Sequence, residues 1–341
     1  MILLDALYIN NSGGKVLLDY LITTLEHGEV EVHYLLDQRI EGDHPAVNNK
    51  VTYLPASLLS RHRFYKTLDV RYATVLCFGN LPPTVSMTGK VYTYFHQKLF
   101  LEIPQNLDFK SKCVFKLKKG ILKFLAGNTD FWLVQSQVMK LGLLDRSIAK
   151  KKDTVNLMPF FPSIPKAEAI VRSSTNYCYV SSGSEHKNHF RLIEAFILFS
   201  ETAKDAVLEL TVGKEFVELC SFIDDQIQKG YAIVNHGTVQ RQELAPIYTR
   251  CKFLVFPSLS ESFGLGIVEA LEFDCKVIGA NLPYMHEVCE PSITFNPLSV
   301  DSIYNGFHSS TLIQIPPSKA KITNQIDQLI SLLMEPIHEN K

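Results

Sequence analysis

The stretch from Phe253 to Ala280, FLVFPSLSESFGLGIVEALEFDCKVIGA, constrains this chain more than any other. Phe253–Phe256 is a short apolar run of the kind that forms a buried strand, and Pro257 ends it. A polar turn, Ser258 to Ser262, leads into Gly264-Leu265-Gly266; the spacing from Ile267 to Phe273 predicts a helix, and Lys276–Ala280 a second strand. Strand, glycine turn, helix, strand is the unit of a parallel α/β sheet that aims backbone N–H groups at an anion from a helix N-terminus. Two carboxylates sit in it, Glu261 before the helix and Glu269 inside it. Taken singly, Glu261 reads as well as a helix cap and Glu269 as a solvated helix residue.

Taken as a string, Glu-Ser-Phe-Gly-Leu-Gly-Ile-Val-Glu-Ala-Leu resembles the E-x7-E signature of retaining nucleotide-sugar glycosyltransferases with the GT-B fold, the large family 4 or glycosyl transferases group 1. The resemblance implies two doubly wound, Rossmann-like α/β domains facing a cleft. It also implies roles: Glu261 meeting hydroxyls of the donor sugar, Phe263, Gly264 and Leu265 offering amides to sugar and diphosphate, and Glu269 holding the ribose hydroxyls.

The other motifs fall in the order such a chain requires. Ile2–Ile9 is apolar, as a central parallel strand is, and Asn10-Asn11-Ser12-Gly13-Gly14 separates it from an amphipathic run, Lys15 to Glu26. In the family this first glycine loop lies against diphosphate and acceptor, which assigns Gly13 and Gly14 to the donor and leaves Lys15 as a basic candidate. Lys90–Phe95 predicts a strand ending in His96, at the carboxyl edge where open α/β sheets bind ligands. The bland reading is a satisfied loop histidine; the resemblance instead sends His96 to the donor sugar, as a catalytic residue. Asn176–Val180 predicts a further strand, followed by SSGSEHKN and a helix, so that Lys187 stands after a Ser/Gly turn where a diphosphate would be met. The family usually has Arg five residues before this Lys; here Ser182 stands there. Val239 follows Gly237 in a loop that, in the family, covers the nucleobase.

Pro159, Pro162 and Pro165 recur every third residue, stiffen the chain and end helix and sheet alike, which predicts a domain boundary. The expected division is 1–160 for an acceptor domain, 167–316 for a nucleotide-sugar domain, and 317–341 for a terminal helix returning to the first domain. At 341 residues the chain suits two domains. Its net charge of −1 hides an asymmetry: residues 1–165 carry 20 Lys and Arg against 14 Asp and Glu, the remainder 14 against 21. The basic half contains FKSKCVFKLKKGILKFL, Phe109 to Leu125, with six lysines and no acid, which reads either as a solvated surface helix or as one that meets an anionic membrane. Lacking Arg, the run speaks against nucleic acid.

No run reaches the roughly 18 apolar residues of a membrane span, and seven scattered cysteines without a C-x-x-C pair fit a reducing cytoplasm. No acid or histidine cluster has divalent-metal spacing, so neither metal nor cofactor is expected, the nucleotide sugar being a substrate. The expectation is a retaining hexosyltransferase acting on a saccharide acceptor, lipid-linked, in bacterial surface-polysaccharide assembly, peripheral on the inner face of the membrane. The alternatives are a GT-B nucleotide-sugar epimerase and a non-catalytic nucleotide-sugar-binding partner. A Rossmann oxidoreductase fits less, as no G-x-G-x-x-G follows the first strand.

Overall fold

The computed structural model describes residues 1–101, 109–166, 172–312 and 314–335. The chain divides into two units, Met1–Pro162 with the segment from Thr323, and Ser163–Ile322. The break falls within the proline-spaced connection, two residues beyond the expected 160.

Unit 1 holds β1 (Ile2–Asp5), α1 (Ser12–His27), β2 (Val32–Asp37), β3 (Lys50–Leu54), α2 (Leu58–Lys66), β4 (Thr74–Cys77), β5 (Lys90–Phe95), α3 (Phe109–Leu125), β6 (Phe131–Val134), α4 (Gln137–Asp145) and β7 (Val155–Leu157). Its seven strands lie in the order β3-β2-β1-β4-β5-β6-β7, every pairing parallel. The central strands are buried on both faces, which is why β1 (ILLD) and β2 (VHYLLD) read as unbroken apolar runs. Leu3, Leu35, Val75 and Val91 fill one cluster and Phe95, Trp132, Val134 and Leu143 another, each large side chain worth about 1.5–3 kcal/mol on burial.

Unit 2 holds β8 (Ser173–Tyr179), α5 (His189–Ser200), β9 (Val207–Leu210), α6 (Val217–Gln228), β10 (Ile233–Asn235), α7 (Ala245–Arg250), β11 (Cys251–Phe256), α8 (Leu265–Glu272), β12 (Lys276–Ala280), α9 (Pro283–Val288), β13 (Cys289–Glu290), β14 (Ile293–Phe295), α10 (Val300–Ser309) and β15 (Lys319–Ala320). Six parallel strands run β10-β9-β8-β11-β12-β14, and β13 pairs with β15 in a separate antiparallel ribbon. Numbered within each unit, both sheets follow 3-2-1-4-5-6, the doubly wound order whose reversal between strands 1 and 4 opens a crevice at the carboxyl edge.

The terminal helix α11 (Ile326–Met334) belongs to unit 1, packing on α1 and β4, and Asn324 ties it there by donating to the Phe161 carbonyl at 2.7 Å. Sequence reasoning missed β3, α2, α6, α9 and α10. The terminal helix expected within 317–341 runs from Ile326 to Met334.

Candidate active site

In unit 2 the two turns that follow the adjacent strands β8 and β11 are laced together. The Leu259 N–H donates to the His186 carbonyl at 2.8 Å, and Asn188 Nδ2 donates to the carbonyls of Pro257 (3.2 Å) and Pro297 (2.8 Å). Asn188 is buried at a left-handed φ of 64°, a conformation that asparagine tolerates better than most side chains, and α5 starts there. Tyr179 donates its hydroxyl to the Lys187 carbonyl at 3.0 Å, and Tyr284 donates to that of Ser258 at 2.6 Å. These bonds bring Lys187 against Glu261, Nζ to Oε1 at 2.7 Å, across 74 residues of chain. Both side chains keep a window to solvent, 18% for Lys187 and 10% for Glu261, so a ligand reaches the pair.

α8 begins immediately beyond. Gly264 sits at φ 87°, where a Cβ would come within 2.9 Å of Ile267 Cδ1, and no side chain caps the helix. Phe263 is buried beneath it; the Ile267 N–H donates to the Gly264 carbonyl at 2.9 Å, while the first amides of the helix, those of Leu265 and Gly266, have no carbonyl a turn before them to bond to. The expected anion-facing turn therefore lies beside the Lys187–Glu261 pair.

Glu269, in the second turn of α8, is not the solvated helix residue that it reads as when taken singly. It is buried, its Oε1 receiving Arg241 Nε at 3.1 Å and a second guanidinium nitrogen at 3.0 Å, and its Oε2 receiving the Tyr248 hydroxyl at 3.0 Å. Burial raises its pKa, and Arg241, Tyr248 and their hydrogen bonds oppose the rise. Sequence reading missed Arg241; the available signal was a lone Arg two residues beyond Val239. Val239 itself is half-buried in the turn that Gly237 opens at φ 71°.

Ser182 is exposed, its hydroxyl 3.2 Å from that of Ser184. The neighbouring Gly183 is packed so closely that a Cβ would lie 2.5 Å from Phe216. His189 stacks on Tyr179 with ring centroids 4.8 Å apart, and neither buried ring nitrogen has a partner; burial, then Lys187, then His186 hold its pKa down at about 3.

In unit 1 the predicted glycine loop and histidine meet. A Cβ on Gly14 would stand 3.2 Å from His96 Cε1, whereas one on Gly13 would meet nothing within 4 Å. Asn80, at φ 64°, accepts the His96 N–H at 2.7 Å. Burial drives the His96 pKa down to about 4 against a hydrogen bond to the Phe78 main chain. Its Nε2 is buried without a partner, so at neutral pH the ring offers that nitrogen as an acceptor. Tyr8, Ser12 and Asn80, all at the carboxyl edge of this sheet, have positive φ, a concentration of strain typical of ligand sites.

The edge is braced from within. Arg61 on α2 is fully buried, donating to Asp5 at 2.7 Å and to the carbonyls of Leu81 and Pro82 at 2.7 Å each. It thereby fixes the turn that carries Asn80. The Lys15 ammonium is bonded to both carboxylate oxygens of Asp19, at 2.9 and 2.7 Å, because one helical turn puts the two on one face, and Asp43 Oδ2 lies 3.8 Å away.

Among the described residues no group of three or more His, Cys, Asp and Glu is placed to hold a metal ion, and no helix is long and apolar enough to cross a membrane.

Comparison with known proteins agrees with this geometry. Residues 161–306, nearly all of unit 2, match the family described as glycosyl transferases group 1. The chain as a whole has the GT-B fold. It resembles sucrose-phosphate synthase from Thermosynechococcus elongatus with a TM-score of 0.67 at 16% identity, covering 90% of this chain and 88% of that one. It also resembles Anabaena Alr3699/HepE in complex with UDP and glucose, TM-score 0.64 at 12% identity, covering 90% and 89%. In sequence, it is 28% identical over 149 residues to the O-antigen chain mannosyltransferase RfbU of Salmonella typhimurium, 42% of this chain and 41% of that protein. It is 37% identical over 68 residues to the serotype-specific mannosyltransferase WbdA of Escherichia coli, 20% of this chain and 8% of that protein. The chain therefore spans less than half the length of the curated relatives it matches.

Proposed function

We propose that this protein is a retaining glycosyltransferase that moves a hexosyl unit from a nucleotide sugar to a hydroxyl of a saccharide acceptor. The observation that carries the reading is the Lys187–Glu261 pair, 2.7 Å apart beside the uncapped start of α8, within a segment that matches the glycosyl transferases group 1 family. The acceptor oxygen attacks the anomeric carbon, the bond to the diphosphate breaks, and the departing diphosphate oxygen takes the acceptor's proton on the same face. Negative charge grows on the diphosphate, and Lys187 with the first-turn amides of α8 supplies fixed positive charge there. Glu261 orients hydroxyls of the sugar, Glu269 binds the ribose, Val239 and the Ser182 turn border the nucleotide, and His96 accepts from a sugar hydroxyl beside Gly13 and Gly14. The reaction proposed needs no metal.

The mannosyltransferases among its relatives make a mannosyl donor the first to test. A lipid-linked acceptor, in surface-polysaccharide assembly on the inner membrane face, completes the proposal, with α3 as the membrane-facing element. Its motivation is the basic half-chain and α3, on which Phe124 is 86% exposed and Leu117 66%.

The test is a thermal-shift screen with GDP, UDP and ADP. A ligand at a hundred times its dissociation constant stabilises the fold by about 2.7 kcal/mol. Transfer from the matching donor sugar, with the product anomer read by NMR, then checks retention. A chain that no nucleoside diphosphate stabilises and that transfers no sugar overturns the proposal.

A further inference from the structure

Arg241 has no counterpart among the residues assigned above, yet two of its nitrogens contact one of them, Glu269. Its guanidinium presents Nε at 3.1 Å and a second nitrogen at 3.0 Å to the single oxygen Glu269 Oε1, while Tyr248 holds Oε2 at 3.0 Å. A third guanidinium nitrogen donates to the Ser163 carbonyl at 3.2 Å, which anchors the arginine from the side away from the carboxylate. Glu269 is 5% exposed and Arg241 20%. A carboxylate this buried has to be paired or it neutralises itself.

The two ends of the unit 2 site are thus built alike, each carboxylate against one cation: Glu261 with Lys187, Glu269 with Arg241. A ligand carrying a diphosphate would otherwise approach two bare negative charges.

We infer that Arg241 is a positioning residue for nucleotide recognition: it keeps Glu269 ionised and fixes the turn of its carboxylate, so that the lone pair left on Oε2 receives a ribose hydroxyl. This rests on the reading of Glu269 as the ribose acceptor. A carboxylate offers about four acceptor sites; Arg241 takes two on Oε1 and Tyr248 one on Oε2, which leaves about one for a ribose hydroxyl. Arg241 acts through Glu269, not on the diphosphate. The charged and titratable groups facing this carboxylate are Arg241, Tyr248 and, with the opposite sign, Glu272 on the same helix. Of these only Arg241 is a cation, so its removal leaves burial and Glu272 to push Glu269 toward the neutral acid.

The experiment uses the full chain and isothermal titration with two probes, the nucleoside diphosphate found in the thermal-shift screen and its uncharged nucleoside. Arg241→Gln is expected to weaken both probes alike, by about tenfold at pH 7, the low end of what a hydrogen bond to a charged group supplies. The wild-type affinity is expected to stay level from pH 6 to 8, whereas that of the variant rises with pH as Glu269 regains its charge. Arg241→Lys is expected to recover part of the loss. Should Arg241→Gln unfold because a buried carboxylate has lost its partner, the double variant Arg241→Gln/Glu269→Gln carries no such charge. It is expected to bind the nucleoside no more weakly than Glu269→Gln alone.

A loss confined to the diphosphate probe, or a further loss in the double variant, would make Arg241 a direct ligand and overturn the inference. An unchanged affinity and pH profile in Arg241→Gln overturns it as well. Failure of the underlying reading has a separate signature: Glu269→Gln alone then leaves nucleoside binding untouched.

Discussion

Unit 1 and unit 2 each begin with the same device, a first strand, a small-residue turn and a helix with a lysine at its threshold, and they use that lysine differently. Lys15 is answered chiefly by Asp19, one helical turn away on α1, at 2.7 Å, with the exposed Asp43 farther off at 3.8 Å. Lys187 is answered by Glu261, 74 residues on, from the turn after the fourth strand of its sheet. A neighbour on the same helix face can neutralise a charge without fixing anything else. A partner from another loop fixes the relation of two loops, and in unit 2 those loops are also tied by Leu259, Asn188 and Tyr284. The difference is one of reach: the close partner of Lys187 ties two loops together, whereas the close partner of Lys15 lies on its own helix. Unit 1 makes its ligand-facing edge another way, with a neutral histidine, strained turns and a glycine that leaves room for the ring.

Replacing both lysines in turn is the sharpest way to break this comparison. Lys187→Ala is expected to lower turnover by about 10²–10³-fold, the ~2.7–4 kcal/mol of an electrostatic group that faces growing transition-state charge. Lys15→Ala should change turnover by less than about threefold and stability by roughly 0.5 kcal/mol or less, as an i,i+4 pair does. Initial-rate kinetics on both variants with the same donor decides the matter. Equal losses would put Lys15 in the site and dissolve the contrast.

The histidine of unit 1 carries its own signature in acid. Its pKa, about 4 when folded against 6.5 as the ordinary value, means that the folded state binds the proton less readily than the unfolded one. Its neutral form therefore contributes stability in full above about pH 6.5, and that contribution is lost as pH falls toward about 4, ~3 kcal/mol in all. Trp132, the only tryptophan of the chain, lies buried in unit 1, so its fluorescence during urea unfolding follows that unit. Between pH 7 and pH 5 the wild type is expected to lose about 2 kcal/mol more than His96→Phe. Parallel losses would mean that His96 is hydrated enough to titrate normally.

Glu269→Ala comes next in size. The ribose hydroxyls would lose a charged acceptor worth roughly 1.5–3 kcal/mol, a ten- to hundredfold weaker nucleotide. Titration calorimetry with the nucleoside diphosphate reads this directly, and wild-type affinity in the variant removes Glu269 from the site.

The fold was legible where the periodicity of one element sufficed. β5 and β12 run between the same residues as read from the sequence, because buried parallel strands are continuous apolar runs ended by turn residues. α2 (LLSRHRFYK) was illegible because it hides an arginine: Arg61 is buried only by virtue of Asp5, 56 residues back, and two carbonyls. β3 is an edge strand with half-buried residues, and its pattern fades accordingly. In the site, Glu261, Gly264 and Lys187 were legible as a motif, but not the 2.7 Å contact between two of them. Arg241, Tyr248 and Asn80 act through partners far along the chain, and no local spacing announces such a partner.

The last contrast between the units is one of charge, and α3 is where it becomes testable. Along this helix Val114, Leu117 and Phe124 recur at intervals of three and seven and are 44%, 66% and 86% exposed. Leu122, roughly 160° round the helix from Phe124, faces into unit 1 and is buried, as is Leu125 at the helix end. The helix therefore has two apolar faces, one packed and one presented to solvent, with lysines between them. Lys119 shows how crowded those charges are: after burial, the repulsion of Arg146 and Lys123 holds its pKa down. Such an arrangement fits a surface that accepts apolar side chains and supplies anions, and each lysine near an anionic leaflet contributes about 1 kcal/mol, screened within roughly a Debye length. A solvated helix would explain the lysines but not the exposed Phe124. Sedimentation with liposomes separates the two readings. Binding is expected with anionic vesicles at low salt and to fade near about 0.5 M salt, where screening acts within a few ångströms. Exchanging Lys116, Lys118 and Lys119 for Glu should abolish it, whereas Phe124→Ser should weaken it by a few fold at any salt concentration, because an apolar contribution is not screened. Equal recovery in the supernatant with neutral and anionic vesicles leaves α3 a surface helix and the charge asymmetry of the two units without a membrane to explain it.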